Sequence, residues 1–219
     1  MSKKQKDIFL EYEGDIYFER NNLTIQNREM GLKDPIIFAL SNLIEKKNEN
    51  NSLKLLEVGC GEAKRLQWIS QNYSIQCFGI DPSKKAVETA NLNNITVVKG
   101  TADDLKYNNE EFDFVIFGFC LYLCDREDLF QIAKETDRVL KKSGYIIIRD
   151  FFSTTPSSTI YRHNNNLFTY KMDYRKLFDW HPHYECIFHT VDTASKPVPR
   201  DDKSEWRATS VLRKKNTDE

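Results

Sequence analysis

The sequence lacks any apolar run near the roughly 18 to 20 residues that a membrane-spanning helix needs, so no membrane segment is expected. It also lacks an excess of charge: 32 Lys and Arg stand against 33 Asp and Glu, a net charge of −1. That balance gives no broad electrostatic case for nucleic acid, whose affinity rests on phosphate neutralisation, or for an anionic membrane surface. The opening MSKKQKDIF is charged and leads into Glu11, Glu13 and Asp15, where a signal peptide would have an apolar core. The five cysteines are odd in number, and Cys60, Cys77 and Cys120 sit in or beside apolar runs; this argues against a disulfide framework and for a cytoplasmic setting. Cys120 and Cys124 are spaced CxxxC with no second pair at metal-ligand spacing, and no acidic cluster of a metal-dependent kind is evident, so no metal is expected.

What the chain does have is an alternation of short apolar runs and helical spacings. Leu53, Leu55, Leu56 and Val58 form a strand that runs into Gly59-Cys60-Gly61-Glu62-Ala63, after which Leu66 and Ile69 take helical spacing. Before it, Asp34 and Pro35 open a helix carrying Ile36, Ile37, Leu40, Leu43 and Ile44, ended by the polar run from Glu45 to Ser52. After it, strands are expected at 75–80, 95–98, 112–117 and 145–149, with helices at about 63–72, 83–90 and 126–142, the last stopped by Gly144. Two later strands, 184–191 and 206–212, joined by a Pro- and Lys-rich loop, suit an antiparallel ribbon at the sheet edge. The pattern is that of an α/β fold with a mostly parallel sheet and helices on both faces.

One domain over 1–219 is expected: a helical N-terminal segment at 1–50, a ligand-binding core at 53–150, an insertion at 151–182 and a terminal strand pair at 183–213. Within the first segment, residues 8–23 mix aromatic and acidic side chains, with Gly14 read as a break. They either seal a core edge or form a lid over a pocket. The insertion breaks the strand–helix rhythm and shows only a short helical pattern near 173–180.

In an open α/β sheet, ligands bind beyond the carboxyl ends of the strands. Four features meet that description: the glycine turn 59–63, Asp81, the turn 100–105 and the run Phe119-Cys120-Leu121-Tyr122. Asp81 falls about 20 residues after the glycines and closes the second strand, where a carboxylate accepts two ribose hydroxyls; an adenosine-based cofactor is implied. Lys64 takes the third glycine position of a dinucleotide loop, and Glu57 and Glu62 flank the turn, which suits a cationic ligand better than a diphosphate.

Taken in order, LLEVGCGEAKRL, FGIDPSKKAVETA, VVKGTADDLKY, EFDFVIFGFCLYLCD and ETDRVLKKSGYIII resemble the successive motifs of the class I S-adenosylmethionine-dependent methyltransferases, in their small-molecule, methyltransferase type 11-like branch. The resemblance covers about residues 53–150. It implies a Rossmann-like seven-stranded sheet in the order 3-2-1-4-5-7-6 and a cofactor, S-adenosyl-L-methionine, that leaves as S-adenosyl-L-homocysteine. It further implies that Glu57, Gly59, Cys60 and Gly61 hold the methionyl end, that Asp81 takes the ribose hydroxyls, and that Pro82 lies beside the adenine. Ala102 would offer its backbone amide to the ring. Thr101 stands where many relatives have an adenine-reading Asp, with Asp103 two residues on. Phe119 and Leu121 would line the cleft where cofactor and substrate meet.

On the substrate side, the resemblance assigns specificity to the N-terminal segment, the loop after the fourth strand and the insertion. Many relatives carry a His after that strand; here the run reads GFCLYLC. Candidates for a proton-accepting group are therefore His163 with neighbouring Tyr161, and His181 or His183; His189 reads as structural. Tyr122, Arg149, Arg162, Tyr170 and Lys171 would build a polar, aromatic and cationic wall suited to a sugar or a phosphorylated small molecule. The phrase EGDIYFERN resembles the opening of methyltransferases of bacterial surface-polysaccharide biosynthesis, which implies Tyr12, Tyr17 and Arg20 near the pocket. The expected activity is methyl transfer to a small molecule, at a hydroxyl or amine of a sugar or nucleotide-sugar, by a monomer or homodimer. A cofactor-binding but idle scaffold, and a tRNA or protein methyltransferase, are the alternatives.

Overall fold

The structure is a computed structural model that describes residues 3–26, 30–44, 52–193 and 205–216. At its centre β1 (Leu53–Val58) pairs in parallel with β2 (Ile75–Asp81) and β4 (Phe112–Gly118). β3 (Thr96–Lys99) extends the sheet beyond β2 and β5 (Leu140–Phe151) extends it beyond β4, both in parallel. β9 (Trp206–Lys214) runs antiparallel along β5, and β8 (Tyr184–Thr193) closes the edge antiparallel to β9. With the separate hairpin of β6 (Ser157–Ile160) and β7 (Phe168–Lys171) set aside, the order is the expected 3-2-1-4-5-7-6.

Alternation along the strands divides the core into two layers. Leu53, Leu55, Phe114 and Ile116 face Ile36, Ile37 and Leu40 of α3 (Pro35–Ile44) and Leu66 and Ile69 of α4 (Lys64–Asn72). Leu56, Val58, Val115 and Phe117 face the other layer, which Ile132 and Val139 of α6 (Leu129–Val139) complete. β4 is buried on both faces, as a central parallel strand must be.

Three expectations need correction. The helix expected over 126–142 ends at Val139, because Leu140 already pairs with Phe112 and Lys141 reaches back to Asp113 at 2.8 Å. A Cβ at Gly144 would sit 2.8 Å from the Lys141 carbonyl, so this glycine serves a tight fold inside a long strand and caps no helix. Nor does Gly14 break the N-terminal segment. α1 (Gln5–Ile8), one π turn at Phe9–Glu13 and α2 (Gly14–Gln26) follow one another without a gap, and a Cβ at Gly14 would lie 2.7 Å from the Phe9 carbonyl and 3.1 Å from the Ser83 nitrogen. Glycine there lets α2 settle on the start of α5 (Lys84–Leu92), whose cap Ser83 donates to Asp15 at 2.7 Å. Finally, the insertion holds the β6–β7 hairpin, tied across by Thr159 and Thr169 at 2.8 Å, and the helical pattern near 173–180 is one turn, Tyr174–Leu177. The polar run that ends α3, apart from Ser52, and the Pro- and Lys-rich loop before β9 lie outside the described residues.

Candidate active site

β1 hands the chain to a loop in which Gly59 (φ 71°), Gly61 (φ 56°) and Ala63 (φ 61°) all adopt the left-handed region before α4 begins. At Gly59 a Cβ would come 2.5 Å from the Cys120 Cβ, so the residue must be glycine on packing grounds as well. At Gly61 a Cβ would meet nothing within 4 Å; the loop faces open space there. Asp81, the last residue of β2, points into this loop. One carboxylate oxygen accepts the Gly61 N–H at 2.8 Å and the other accepts the Ser83 N–H at 2.9 Å. An ionised carboxylate has about four acceptor positions, so two stay open for hydroxyl donors. Burial pushes the Asp81 carboxyl up to about 6, against the pull of the two amides.

Glu57 does not meet the cavity as a bare charge. It is bonded to the guanidinium of Arg65, which also lies 3.3 Å from Asp34, and all three are buried. Asp34 in turn caps α3 through the Ile36 nitrogen at 2.8 Å. Burial works against the Arg65 charge, but the two carboxylates outweigh it and raise its pKa. Gly118 leaves room for the pair: a Cβ there would fall 2.7 Å from an Arg65 Nη. The triad thus fastens β1, α3 and α4 beneath the glycine loop.

Beside the loop is a cavity of about 120 Å³ that is open on one side. Gly59, Ile80 and Asp81 form its floor, and Pro82, Thr101, Ala102 and Asp103 one wall. Its roof comes from the N-terminal helix through Lys6, Phe9 and Tyr17. Asp103 is bound by Lys6, which also pairs with Asp128 at 2.9 Å, while the Asp125 carboxylate accepts the Gln5 and Lys6 amides at 3.1 Å each. Burial disfavours the Lys6 charge, yet Asp103 and Asp128 raise its pKa overall.

Tyr17 lines this cavity and both neighbouring ones, so it stands where they meet. Its hydroxyl is 3.3 Å from that of Tyr122. Phe119, forced to φ 59°, and Tyr122 both set their rings edge-on to Phe151, with centroids 5.4 and 4.9 Å away. Behind them, buried Asp150 accepts the Tyr122 and Phe151 amides at 3.2 and 2.8 Å; burial pushes its carboxyl up to about 7. Burial also raises both phenols, Tyr17 and Tyr122, so they remain protonated at neutral pH.

From this junction a second cleft runs under the β6–β7 hairpin, with Tyr161, Arg162, His163, Tyr170 and Lys171 on its walls. His163 is exposed and accepts the Arg162 Nε–H at 2.7 Å through Nε2; slight desolvation together with Arg20 and Arg162 lowers its pKa, so it is neutral at pH 7. Burial pushes the Tyr161 phenol up to about 12.

Other expected residues lie elsewhere. Leu121 is wholly buried in the α6-side core, behind the wall it was expected to form. Arg20 supports Tyr161 from outside, bonded to its hydroxyl and to Glu13, and Tyr12 faces Asn164 on the lid surface. Arg149 is buried and holds Asp192 with two bonds of 2.8 and 2.9 Å. His181 sits at the wrong end of the sheet: it precedes Tyr184, which pairs with Lys214 at the far end of β9 from the site. Lys6, Phe9, Gly14, Arg65 and Arg207 reach the site without having been anticipated. For Arg207 a signal existed, since an antiparallel β9 must begin at the carboxyl ends of the parallel strands.

Residues 56–148 match the methyltransferase-domain family. The chain is similar to the demethylmenaquinone methyltransferase of Staphylococcus saprophyticus, 28% identical over 127 residues that make up 55% of this chain and 53% of that protein. It is likewise similar to the enzyme of that name from Staphylococcus epidermidis, 34% identical over 107 residues, 46% of this chain and 44% of that one. The chain thus spans about half the length of the curated relatives it matches. Among solved structures, the Burkholderia thailandensis 1,6-didemethyltoxoflavin-N1-methyltransferase, with bound 1,6-didemethyltoxoflavin and S-adenosylhomocysteine, superposes with a TM-score of 0.71 at 13% identity, over 99% of this chain and 92% of that one. At that identity the likeness is one of fold.

Proposed function

We propose that this chain, which belongs through residues 56–148 to the class I S-adenosylmethionine-dependent methyltransferases, transfers a methyl group from that cofactor to a small molecule. One observation carries the reading: the Asp81 carboxylate is clasped by the Gly61 amide on the floor of a cavity that opens into an aromatic cleft. The residues fit such a donor. Asp81 has two acceptor positions free for ribose hydroxyls, the open face at Gly61 leaves space against backbone, and Pro82, Thr101 and Ala102 form a wall for a flat base. When bound, S-adenosylmethionine supplies an electrophilic methyl carbon on a sulfonium. The protein's share is to seat the acceptor in line and exclude water. Phe119, Tyr122 and Phe151 shape the seat, Tyr17 closes it from above, and, since one phenol donates to the other, a single phenolic proton is left to donate to the acceptor.

Neither phenol of the Tyr17–Tyr122 junction is a base at neutral pH, because burial keeps both protonated. That favours an acceptor needing little help to lose a proton, namely an amine or an acidic hydroxyl on a planar ring, which the aromatic walls also suit. The name of the curated relatives, demethylmenaquinone methyltransferase, supports a quinone-type ring as the acceptor. A sugar or nucleotide-sugar hydroxyl is the second reading, carried by Arg162, His163 and Lys171 in the hairpin cleft, where His163 accepts a proton once Nε2 is released from Arg162.

Calorimetric titration with S-adenosylmethionine and S-adenosylhomocysteine tests the premise: micromolar binding is expected, weakened by Asp81→Ala, and absence of binding would end the proposal. Turnover with ring hydroxyls and sugars, in wild type and His163→Ala, separates the two acceptor readings. Loss of turnover on His163→Ala would favour the sugar.

A further inference from the structure

Two arginines stand over Phe119 at the site end of the sheet, with Arg149 5.7 Å and Arg207 5.5 Å from the ring centroid. Their surroundings set them apart. Arg149 is fully engaged by Asp192 and by the Thr209 hydroxyl at 2.6 Å. Arg207 pairs with no carboxylate among the described residues, and its Nε is buried without a hydrogen-bond partner. A guanidinium donor withdrawn from water is ordinarily paired. The residue lines the cavity that also holds Gly59, Gly61 and Asp81, and the Phe151 ring, 5.7 Å from its guanidinium, lies on the same side as Phe119. The topology explains its arrival: β9 runs against its neighbour, so residue 207, in register with Phe151, reaches the carboxyl ends of the parallel strands.

We infer that Arg207 is the anion seat of the acceptor pocket, and that the acceptor is a planar ring bearing a carboxylate or phosphate next to the atom that receives the methyl. The inference rests on the methyl-transfer reading above. A guanidinium packed on one side against this edge-to-face pair is held in place, and its two terminal amino groups, away from the buried Nε, are left to grip a carboxylate or phosphate with two bonds. The flat walls formed by Tyr122 and Phe151 suit the ring that would carry the anion. Phe151 also lines the hairpin cleft, so an anion at Arg207 and a ring along that wall occupy one continuous space. Arg207 accordingly acts in acceptor selection.

The test is calorimetric titration of benzoate, phenyl phosphate and uncharged benzamide into protein saturated with S-adenosylhomocysteine. On the wild type both anions should bind at least tenfold more tightly than benzamide. Arg207→Gln should erase that preference while leaving benzamide binding unchanged, and Arg207→Lys should restore part of it. The Kd for S-adenosylhomocysteine should stay within twofold in both variants, which also shows that they fold. Equal binding of benzoate and benzamide, failure of either anion to bind, or a preference that survives Arg207→Gln would overturn the inference. A loss of S-adenosylhomocysteine affinity in Arg207→Gln would assign the side chain to the donor, and overturn it as well. If the wild type bound no S-adenosylhomocysteine, the methyl-transfer reading itself would fall, and the acceptor pocket with it.

Discussion

Asp81 answers to two opposed demands. Its burial raises the carboxyl to about 6, while accepting hydroxyl hydrogens from a donor requires the ionised form. Affinity for S-adenosylhomocysteine should therefore fall as pH drops below about 6, by roughly tenfold for each unit once the carboxyl is mostly protonated; titrations between pH 8 and pH 5 check this. Arg65 presents a different balance. Truncating it to Ala would leave Glu57 and Asp34 buried beside each other without their cation, so a loss of about 3–5 kcal/mol is expected by denaturant unfolding. Replacing Tyr17 by Phe should instead lower turnover and leave donor affinity unchanged, since its hydroxyl reaches Tyr122 and touches no loop residue. Individual residues were unevenly legible. Gly59, Gly61 and Asp81 could be read because their meaning is local: a turn that needs positive φ and the last residue of a strand. The partners of Glu57 could not, because Arg65 and Asp34 approach it from two helices through separately folded segments.

At the scale of elements, the N-terminal helix is the part whose role depends least on its own pattern. It roofs the donor cavity because Lys6 meets Asp103 and Asp128 at one end and Asp15 caps α5 at the other, bonding Ser83 at 2.7 Å and the Lys85 nitrogen at 3.0 Å. Gly14→Val should push α2 off α5, costing about 1–3 kcal/mol through overpacking, and should expose residues 5–26 to limited proteolysis more than the core. Bound S-adenosylhomocysteine should slow that cleavage, because the roof and the floor then share a ligand. The sequence suggested a break at Gly14 because glycine disfavours helix interiors; a close approach to a helix far along the chain outweighs that preference. The α6–β5 boundary was misplaced for a similar reason. Helical spacing continues through Leu140, but pairing with Phe112 claims that residue for the sheet. In the insertion, the hairpin was hidden by polar residues at both strands, and only cross-strand contacts such as Thr159 with Thr169 reveal it.

For the molecule as a whole, the mostly parallel sheet was legible in apolar runs alternating with helical spacing, whereas its strand order was legible only through the resemblance to the methyltransferase motifs. Its acid response follows from the buried carboxyls. Asp150 is raised from 3.8 to about 7 by burial, so the folded chain binds a proton there that the unfolded chain has already released. Its contribution to stability is full below about pH 4 and is lost as pH rises through 7. Asp150→Asn should therefore remove part of the decline in melting temperature between pH 4 and 7, measured against wild type in the same buffers.

The reversed direction of β9 also fixes when the pocket can exist during synthesis. Every parallel strand has been synthesised by Phe151, yet the wall at Arg207 comes from a stretch made more than fifty residues later. A nascent chain halted between the two would have its glycine loop and Asp81 in place, an unpaired flank along β5, and a cleft gaping on one side. Such a chain could hold a nucleoside before it could choose what to modify.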